Sequence, residues 1–326
     1  MPRILCATAL VCASVIGPSS SPITAAQRTP VALAAGDHTM TLQHGGRARS
    51  YLIHVPRTVS AGRALPLVLA FHGGGGEAEG FKAYAGLDAV SDREGLVVVY
   101  PNGTGLLPRR LLTWNAGECS GYAMNQSVDD VSFAVAVVDD VARNVTIDAR
   151  RIYATGHSNG AMMAYRLGAE RADRIVAIAP VAGAYNLATF APTQPVSVLH
   201  IHSVDDPRAT YTGGMGPALL GTEARASHRP VMDGLEKWRA HDGCSKQPRE
   251  TTVRKGVQGK TTQTATLFVW DGCAKGARVA HWKLTGAGHG WPGTTNTPLS
   301  EELIGPPTTL ISAAEEAWKF FAQVSR

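Results

Sequence analysis

Three kinds of side chain in this sequence are placed where they could do nucleophilic chemistry together. Ser158 sits in Gly156-His157-Ser158-Asn159-Gly160, His289 in Gly286-Ala287-Gly288-His289-Gly290, and Asp205 and Asp206 stand just before Pro207. A serine hydroxyl is a weak nucleophile at neutral pH. It needs a base to take its proton, and the base needs an acid to orient it. Serine, acid and histidine follow one another along this chain in the order found where the serine occupies a strand-to-helix elbow. The glycines around His289 let its backbone come close to Ser158. His157 is too near in sequence to act on its neighbour's hydroxyl. His72 is assigned to shaping the glycine run that follows it, and His200 and His202 to packing. On the residues alone, Asp205 and Asp206 both remain open as the acid.

These side chains need elements to hold them. Arg151 to Thr155 reads as the end of a buried strand and Ala161 to Tyr165 as the start of a helix, so the Gly-x-Ser-x-Gly pentad falls at the turn between them. At such a turn the serine projects above the sheet and the N–H of Asn159 faces a developing oxyanion. A second donor is expected from His72-Gly73-Gly74-Gly75-Gly76, with Gly74 preferred and Gly75 as the alternative. This run lacks the Gly-Lys-Ser/Thr ending of a nucleotide loop, so it is not read as a phosphate cradle. Further buried strands are expected at 67–71, 96–100, 175–180 and 196–202, and alternating ones at 50–55, 251–254, 264–270 and 279–284. Helices are expected over 79–94, 131–145, 230–241 and 312–324. Asp129 and Asp130 suit the positive end of the second of these as caps. Strands alternating with helices predict an α/β fold, a mostly parallel central sheet with helices on both faces. Loops 104–127 and 208–228 would shape the cleft.

The chain has 326 residues, 44% hydrophobic and 17% charged, which suits one large α/β domain. The net charge of +5 is scattered and not interleaved with aromatics, which argues against a nucleic-acid partner. Arg3, the apolar run Ile4 to Ile16, a Pro/Ser-rich stretch and small-residue sites at 24–26 and 32–34 read as an export signal. The run is too short for a stable membrane span. Residues 1–34 are therefore expected to be a signal peptide with a short linker, and 37–326 a single catalytic domain of a secreted protein. Cys12 offers a lipid-anchored alternative, disfavoured because Val11 is bulkier than lipoprotein processing prefers. Cys244 and Cys273 flank a strand-rich insert and are the preferred bridge, with Cys119 left over. No pair of these cysteines has metal-ligand spacing, and neither metal nor cofactor is expected.

Taken in order, Phe71-His72-Gly73-Gly74-Gly75-Gly76, Gly156-His157-Ser158-Asn159-Gly160-Ala161-Met162-Met163, His200-Ile201-His202 with Asp206-Pro207, and Gly288-His289-Gly290-Trp291-Pro292-Gly293 resemble a known group. It comprises secreted poly(3-hydroxybutyrate) depolymerases and feruloyl esterases, carbohydrate esterase family 1-like α/β-hydrolases that include envelope esterase lipoproteins. The resemblance runs from about residue 40 to near the end of the chain. It implies the α/β-hydrolase fold, Ser158 as nucleophile, Asp206 rather than Asp205 as acid, His289 as base, and substrate contacts from Trp291, Trp114 and His157. It implies a serine esterase acting through an acyl-enzyme on hydroxyalkanoate, feruloyl or acetyl esters, polymeric ones included. Two departures stand out: Ser203 where relatives usually have glycine, and Cys119-Ser120 where many carry a cysteine pair. A catalytically silent polymer- or polysaccharide-binding envelope protein and an acyltransferase are the alternatives on the same fold.

Overall fold

Helices and strands alternate along most of the chain. In the computed structural model, residues 33–57, 62–107, 109–118, 121–218, 225–297 and 299–326 are described. Nearly all of the expected signal segment, with Cys6 and Cys12, and also Cys119 lie outside the described residues. The chain opens with strands β1 (Gly36–His44), β2 (Arg47–Val55) and β3 (Leu65–Phe71), helices α1 (Ala78–Ala85) and α2 (Leu87–Glu94), and strand β4 (Val97–Pro101). Next come α3 (Tyr122–Asn125), α4 (Asp130–Asn144), β5 (Ile147–His157), α5 (Asn159–Glu170), β6 (Ala177–Val181) and β7 (Ser197–Ser203). The short pair β8 (Gly214–Met215) and β9 (Ser227–His228) precedes α6 (Val231–His241). The chain closes with β10 (Arg249–Gln258), β11 (Thr261–Trp270), β12 (Val279–Thr285), α7 (Glu301–Ile304) and α8 (Ala313–Phe321).

Ten strands form one sheet in the order β1-β2-β4-β3-β5-β6-β7-β12-β11-β10. The six inner strands from β4 to β12 pair in parallel. The outer hairpins, β1–β2 and β10–β11, run antiparallel. Parallel pairing makes β3, β5, β7 and β12 end on the same edge, the edge where open α/β sheets build their sites. All four motifs follow those ends. This is the α/β-hydrolase architecture expected from the sequence.

Side-chain alternation sets the layers. Leu67, Leu69 and Phe71 of β3 face one core with Met163 of α5, Val137 of α4 and Trp238 of α6. Val68 and Ala70 face the other, with Phe81 of α1, Val90 of α2 and Phe320 of α8. Both faces are covered, which is why β3, β4 and β6 read as near-continuous apolar runs, and why β7 is fully buried even at its histidines.

Beyond short elements such as α3, α7 and the β8–β9 pair within expected loops, the structure departs from the sequence reading in three places. The helix expected over 79–94 is two helices, because Gly86 takes a φ of 69° that ends α1 and starts α2. Strand β1 went unread because only Met40 and Leu42 on its inner face are apolar, alternating with exposed Thr39, Thr41 and Gln43, a half-exposed edge pattern. Of the two aspartates at 129–130, only Asp129 caps, accepting from the Ser132 N–H at 3.0 Å. Asp130 is buried, paired with Arg49 at 2.8 Å, and its other oxygen accepts the Asn115 N–H at 2.8 Å, which ties down the loop leading from Trp114. A disulfide joins Cys244 to Cys273, as expected.

The inner sheet also carries buried histidines. His200 of β7 and His281 of β12 lie side by side in register. Burial holds both neutral: His281 is pushed down to about 3, and His200 well below its ordinary range, with His202 and His281 adding to the effect. His72 is pushed down to about 4 by burial. A histidine that resists protonation only when folded lets the unfolded chain bind the extra proton as pH falls below about 6.5, so stability is lost with acidification. The melting temperature is expected to fall steadily from pH 6.5 to 4.5, each such group contributing up to ~1.4 kcal/mol per pH unit. Asp242, pushed up to about 6 by burial, titrates inside that window with the opposite sign, and the three buried rings together outweigh it. A melting temperature flat across it, followed by scanning fluorimetry, would contradict the assignment of these rings as neutral.

Candidate active site

Strand β5 enters a turn so tight that Ser158 takes φ 56° and ψ −119°. For a non-glycine residue this is a strained conformation, one that persists only where the surroundings over-determine it. They do so here. The Ser158 N–H bonds to Val181 O at 2.9 Å, and its carbonyl accepts from Ala161 and Met162 at the start of α5. A Cβ on Gly160 would stand 2.2 Å from Phe71 O, one on Gly156 2.4 Å from Gly160 O, and one on Gly183 2.3 Å from Ser158 O. The three glycines are the condition for β3, β5, α5 and the chain after β6 to meet at one point.

The hydroxyl produced by that turn meets His289. Ser158 Oγ lies 2.9 Å from His289 Nε2, and His289 Nδ1 lies 2.7 Å from Asp206 Oδ2. The carboxylate can only accept there, so Nδ1 carries the proton and Nε2 is the bare nitrogen facing the hydroxyl. Asp206 is 4% exposed. Burial alone would raise its carboxyl, but the facing His289 and hydrogen bonds from His202 and His289 reverse this and hold it well below the usual range. Its Oδ1 accepts the N–H groups of Arg208 and Ala209, each at 2.8 Å. Asp205 points elsewhere, accepting the Gly286 N–H at 2.7 Å. Of the two candidate acids, Asp206 contacts the imidazole and Asp205 holds the turn after β12.

The His289 loop is fixed from several sides. Gly288 N–H bonds to Pro306 O, and a Cβ at 288 would stand 2.0 Å from Ile304 O. His157 donates from Nε2 to His289 O at 2.7 Å. Burial and the facing His289 push His157 down to about 3. Ser203, the departure from the glycine usual in relatives, donates to Ala287 O at 2.6 Å and accepts from the Asp205 N–H at 3.2 Å. Its hydroxyl therefore ties the acid loop to the histidine loop.

The glycine run after β3 lies against the elbow. A Cβ on Gly73 would stand 3.5 Å from Ser158 Cβ, and one on Gly74 3.5 Å from Asn159 Cβ. The Gly75 N–H is taken by Leu112 O at 2.8 Å, which removes the alternative donor. Among the described residues the Gly74 N–H has no protein acceptor. His72 bridges Gly73 O at 2.8 Å and the Gly103 N–H at 3.0 Å, and so shapes the run as expected.

The aromatic expectations need correction. Trp114 is fully buried; its indole N–H donates to His72 O at 2.9 Å and its backbone exchanges hydrogen bonds with the Asn159 side chain. Trp291 is 2% exposed, its indole N–H donating to Ala85 O at 3.0 Å and its ring set edge-on to Phe81. Both brace the loops around Ser158 and offer no ring face to a substrate. His157 likewise spends its Nε2–H on the His289 carbonyl. Sequence reasoning missed His202, whose Nε2 lies 3.2 Å from Asp206 Oδ2. The His-x-His spacing on one strand, which puts both rings on the same face, was the available signal. Open space beside the site is a cleft of about 430 Å³ between Gly75–Glu77 on one side and Leu107, Arg109, Arg110 and Leu111 on the other.

Among the described residues, one group has metal-ligand spacing: Asp37, His54 and Asp88, away from these loops. The Lys82 ammonium already bridges Asp37 and Asp88, so the protein supplies its own cation there.

The glycine contacts yield a direct test. Gly160→Ala is expected to remove ester hydrolysis and lower the yield of folded protein, because its Cβ cannot coexist with Phe71 O. Gly80→Ala on α1, where the nearest atom is 3.8 Å away, should keep activity and gain about 0.5 kcal/mol of stability. Turnover and melting temperature measured side by side decide it; an active, stable Gly160→Ala would contradict the packing described.

Residues 49–212 match the family model described as Esterase PHB depolymerase. "Putative esterase NocK" of Nocardia uniformis subsp. tsuyamanensis is 31% identical over 310 residues, 91% of this chain and 86% of that protein. The "Bifunctional acetylxylan esterase/xylanase XynS20E" of Neocallimastix patriciarum is 26% identical over 245 residues, 75% of this chain but only 31% of that protein. Among solved structures, an acetyl xylan esterase from Aspergillus awamori superposes with a TM-score of 0.51 at 14% identity, covering 88% of this chain and all of that one, a likeness of fold. With its elbow, its glycine run and the family match across half of its length, the chain belongs to the PHB depolymerase family of esterases.

Proposed function

We propose that Ser158 is the nucleophile of a secreted serine esterase, with His289 as general base and Asp206 as the acid that orients it. The observation that carries this reading is the unbroken hydrogen-bond path from Ser158 Oγ through His289 to Asp206. In this reading Nε2 takes the hydroxyl proton as Oγ attacks an ester carbonyl. The N–H groups of Gly74 and Asn159 receive the oxyanion, each such donor being worth about 3 kcal/mol in related chemistry. The imidazolium, stabilised by Asp206, then protonates the departing alcohol. Water, activated by the same nitrogen, releases the acid from Ser158.

The cleft of about 430 Å³ adjoins the glycine run and would hold one arm of the ester. Leu107 and Leu111 give it an apolar wall flanked by Glu77, by Arg110 and by Arg109, which is paired with Glu79, and this wall suits acyl or alcohol groups larger than acetate. Feruloyl, acetyl and hydroxyalkanoate esters are the candidate substrates, and residues 37–326 the catalytic domain. Export is supported by the N-terminal segment's composition and by the Cys244–Cys273 bridge, which persists in an oxidising compartment. Among the described residues no helix is long and apolar enough to cross a membrane.

Ser158→Ala is expected to abolish hydrolysis of p-nitrophenyl butyrate while leaving the melting temperature within a few degrees of the parent. Asp206→Asn should lower kcat by roughly 10⁴-fold, as removal of the orienting charge does in comparable relays. Undiminished turnover by the Ser158→Ala protein would remove the proposal.

A further inference from the structure

The sequence assigns His200 and His202 to packing, yet their ring nitrogens form a continuous buried chain ending on the acid. Tyr165 Oη lies 3.0 Å from His200 Nδ1, and His200 Nε2 lies 3.1 Å from His202 Nδ1. His202 Nε2 lies 2.8 Å from Ala209 O and 3.2 Å from Asp206 Oδ2. Both of these oxygens can only accept, so Nε2 of His202 carries its proton. In a neutral ring its Nδ1 is then bare and accepts the His200 Nε2–H. His200 Nδ1, bare in turn, accepts the Tyr165 O–H. The backbone around the chain is also occupied: His281 donates from Nδ1 to His200 O and accepts the Tyr211 O–H at Nε2. One proton arrangement satisfies every group, and all its donors point toward Asp206. Tyr165, His200 and His202 are each at most 1% exposed, so no water competes.

We propose that His202, at the head of this chain, is a positioning residue that clamps the Asp206 carboxylate and tunes His289 as a base. The inference rests on the reading of Ser158, His289 and Asp206 as the catalytic relay. Asp206 Oδ2 accepts the Nδ1–H of His289, and His202 Nε2, whose N–H is bonded to Ala209 O at 2.8 Å, stands 3.2 Å from the same oxygen. The positive end of that N–H dipole draws on the same negative charge, so His202 weakens the hold of Asp206 on the His289 imidazolium. It also stops the carboxylate rotating about its two backbone donors. Removing the His202 donor leaves the full charge facing His289. The imidazolium then becomes harder to deprotonate, and the acid limb of the rate profile moves to higher pH.

The other groups facing His289 and Asp206 are His157 and Ser158 from the elbow, Tyr84 from α1, His228 from β9, and Asp205, which is turned to Gly286. None is altered in the variants compared, so their effects cancel.

The test is the pH profile of kcat/KM on p-nitrophenyl butyrate for the full chain and three variants. His202→Asn, too short to reach Oδ2, should raise the acid-limb midpoint by ~0.5–1 unit and lower kcat about tenfold or more. His202→Gln, whose amide N–H spans the distance, should recover most of both. Tyr165→Phe, which removes only the far end of the chain, should shift the midpoint in the same direction by less. A His202→Asn protein with an unmoved midpoint, whatever its kcat or melting temperature, would make His202 a packing residue and overturn the inference. So would a His202→Gln profile no closer to the parent than that of His202→Asn. Should His202→Asn fail to fold, the Tyr165→Phe midpoint decides, an unmoved one overturning the inference. The Ser158→Ala control separates the two claims: activity surviving there defeats the relay itself, whereas its loss with unmoved midpoints defeats only the role of His202.

Discussion

The structure depends on holding one residue, Ser158, in a backbone conformation it would not adopt by itself. A φ of 56° on a serine costs of order 1–3 kcal/mol, and it is sustained by close backbone contacts that only glycine permits at 156, 160 and 183. Those contacts are made by the carbonyls of Phe71, Gly160 and Ser158 itself. The turn is therefore a joint between β3, β5, α5 and the chain after β6. The glycine run that begins after Phe71 inherits its place beside Ser158 from this joint, and β7 and β12 bring their loops to the same edge by parallel pairing.

A second organising constraint is electrostatic. The interior around the relay holds His72, His157, His200, His202 and His281, and the Asp206 carboxylate contacts His202 and His289. Burial keeps most of these rings neutral, and each is satisfied by a carbonyl, a hydroxyl or another ring. A neutral ring with one donor and one acceptor has a direction, and the directions here are fixed by acceptors at the ends of each chain. Buried polar groups so fully paired give rigidity without a net charge to desolvate. The exception, Asp206, is stabilised by three N–H donors converging on its two oxygens, with the His202 ring 3.2 Å away. Ser203 shows how a departure from a family's usual residue can be absorbed: its hydroxyl bonds between two loops that a glycine would leave to the backbone alone.

Much of this was legible in the sequence, for identifiable reasons. Fully buried strands announce themselves as apolar runs, and glycine and proline mark the turns at their ends, so Ser158, His289 and the 72–76 run could be placed at strand ends without coordinates. The choice of Asp206 over Asp205 came only with the family pattern, since neighbouring residues at a strand end differ in direction and not in type. Trp114 and Trp291 were misread because an aromatic near a motif is equally compatible with lining a cleft and with bracing it from behind. Burial decides, and burial is a property of the packed whole. The break at Gly86 was missed because a glycine inside a helical pattern is tolerated as often as it terminates. His202 escaped because its contact depends on the chain after β7 curling back so that Asp206 lies beside it.

The central claim is that Ser158 attacks an ester carbonyl with its oxyanion held between Gly74 and Asn159. A crystal structure of the protein reacted with a p-nitrophenyl alkylphosphonate examines this most directly. The account predicts phosphorus bonded to Ser158 Oγ, with the phosphonyl oxygen about 2.7–3.1 Å from both N–H groups and His289 Nε2 against a second oxygen. Phosphorus on another residue, or a phosphonyl oxygen turned to solvent away from Gly74 and Asn159, would contradict it.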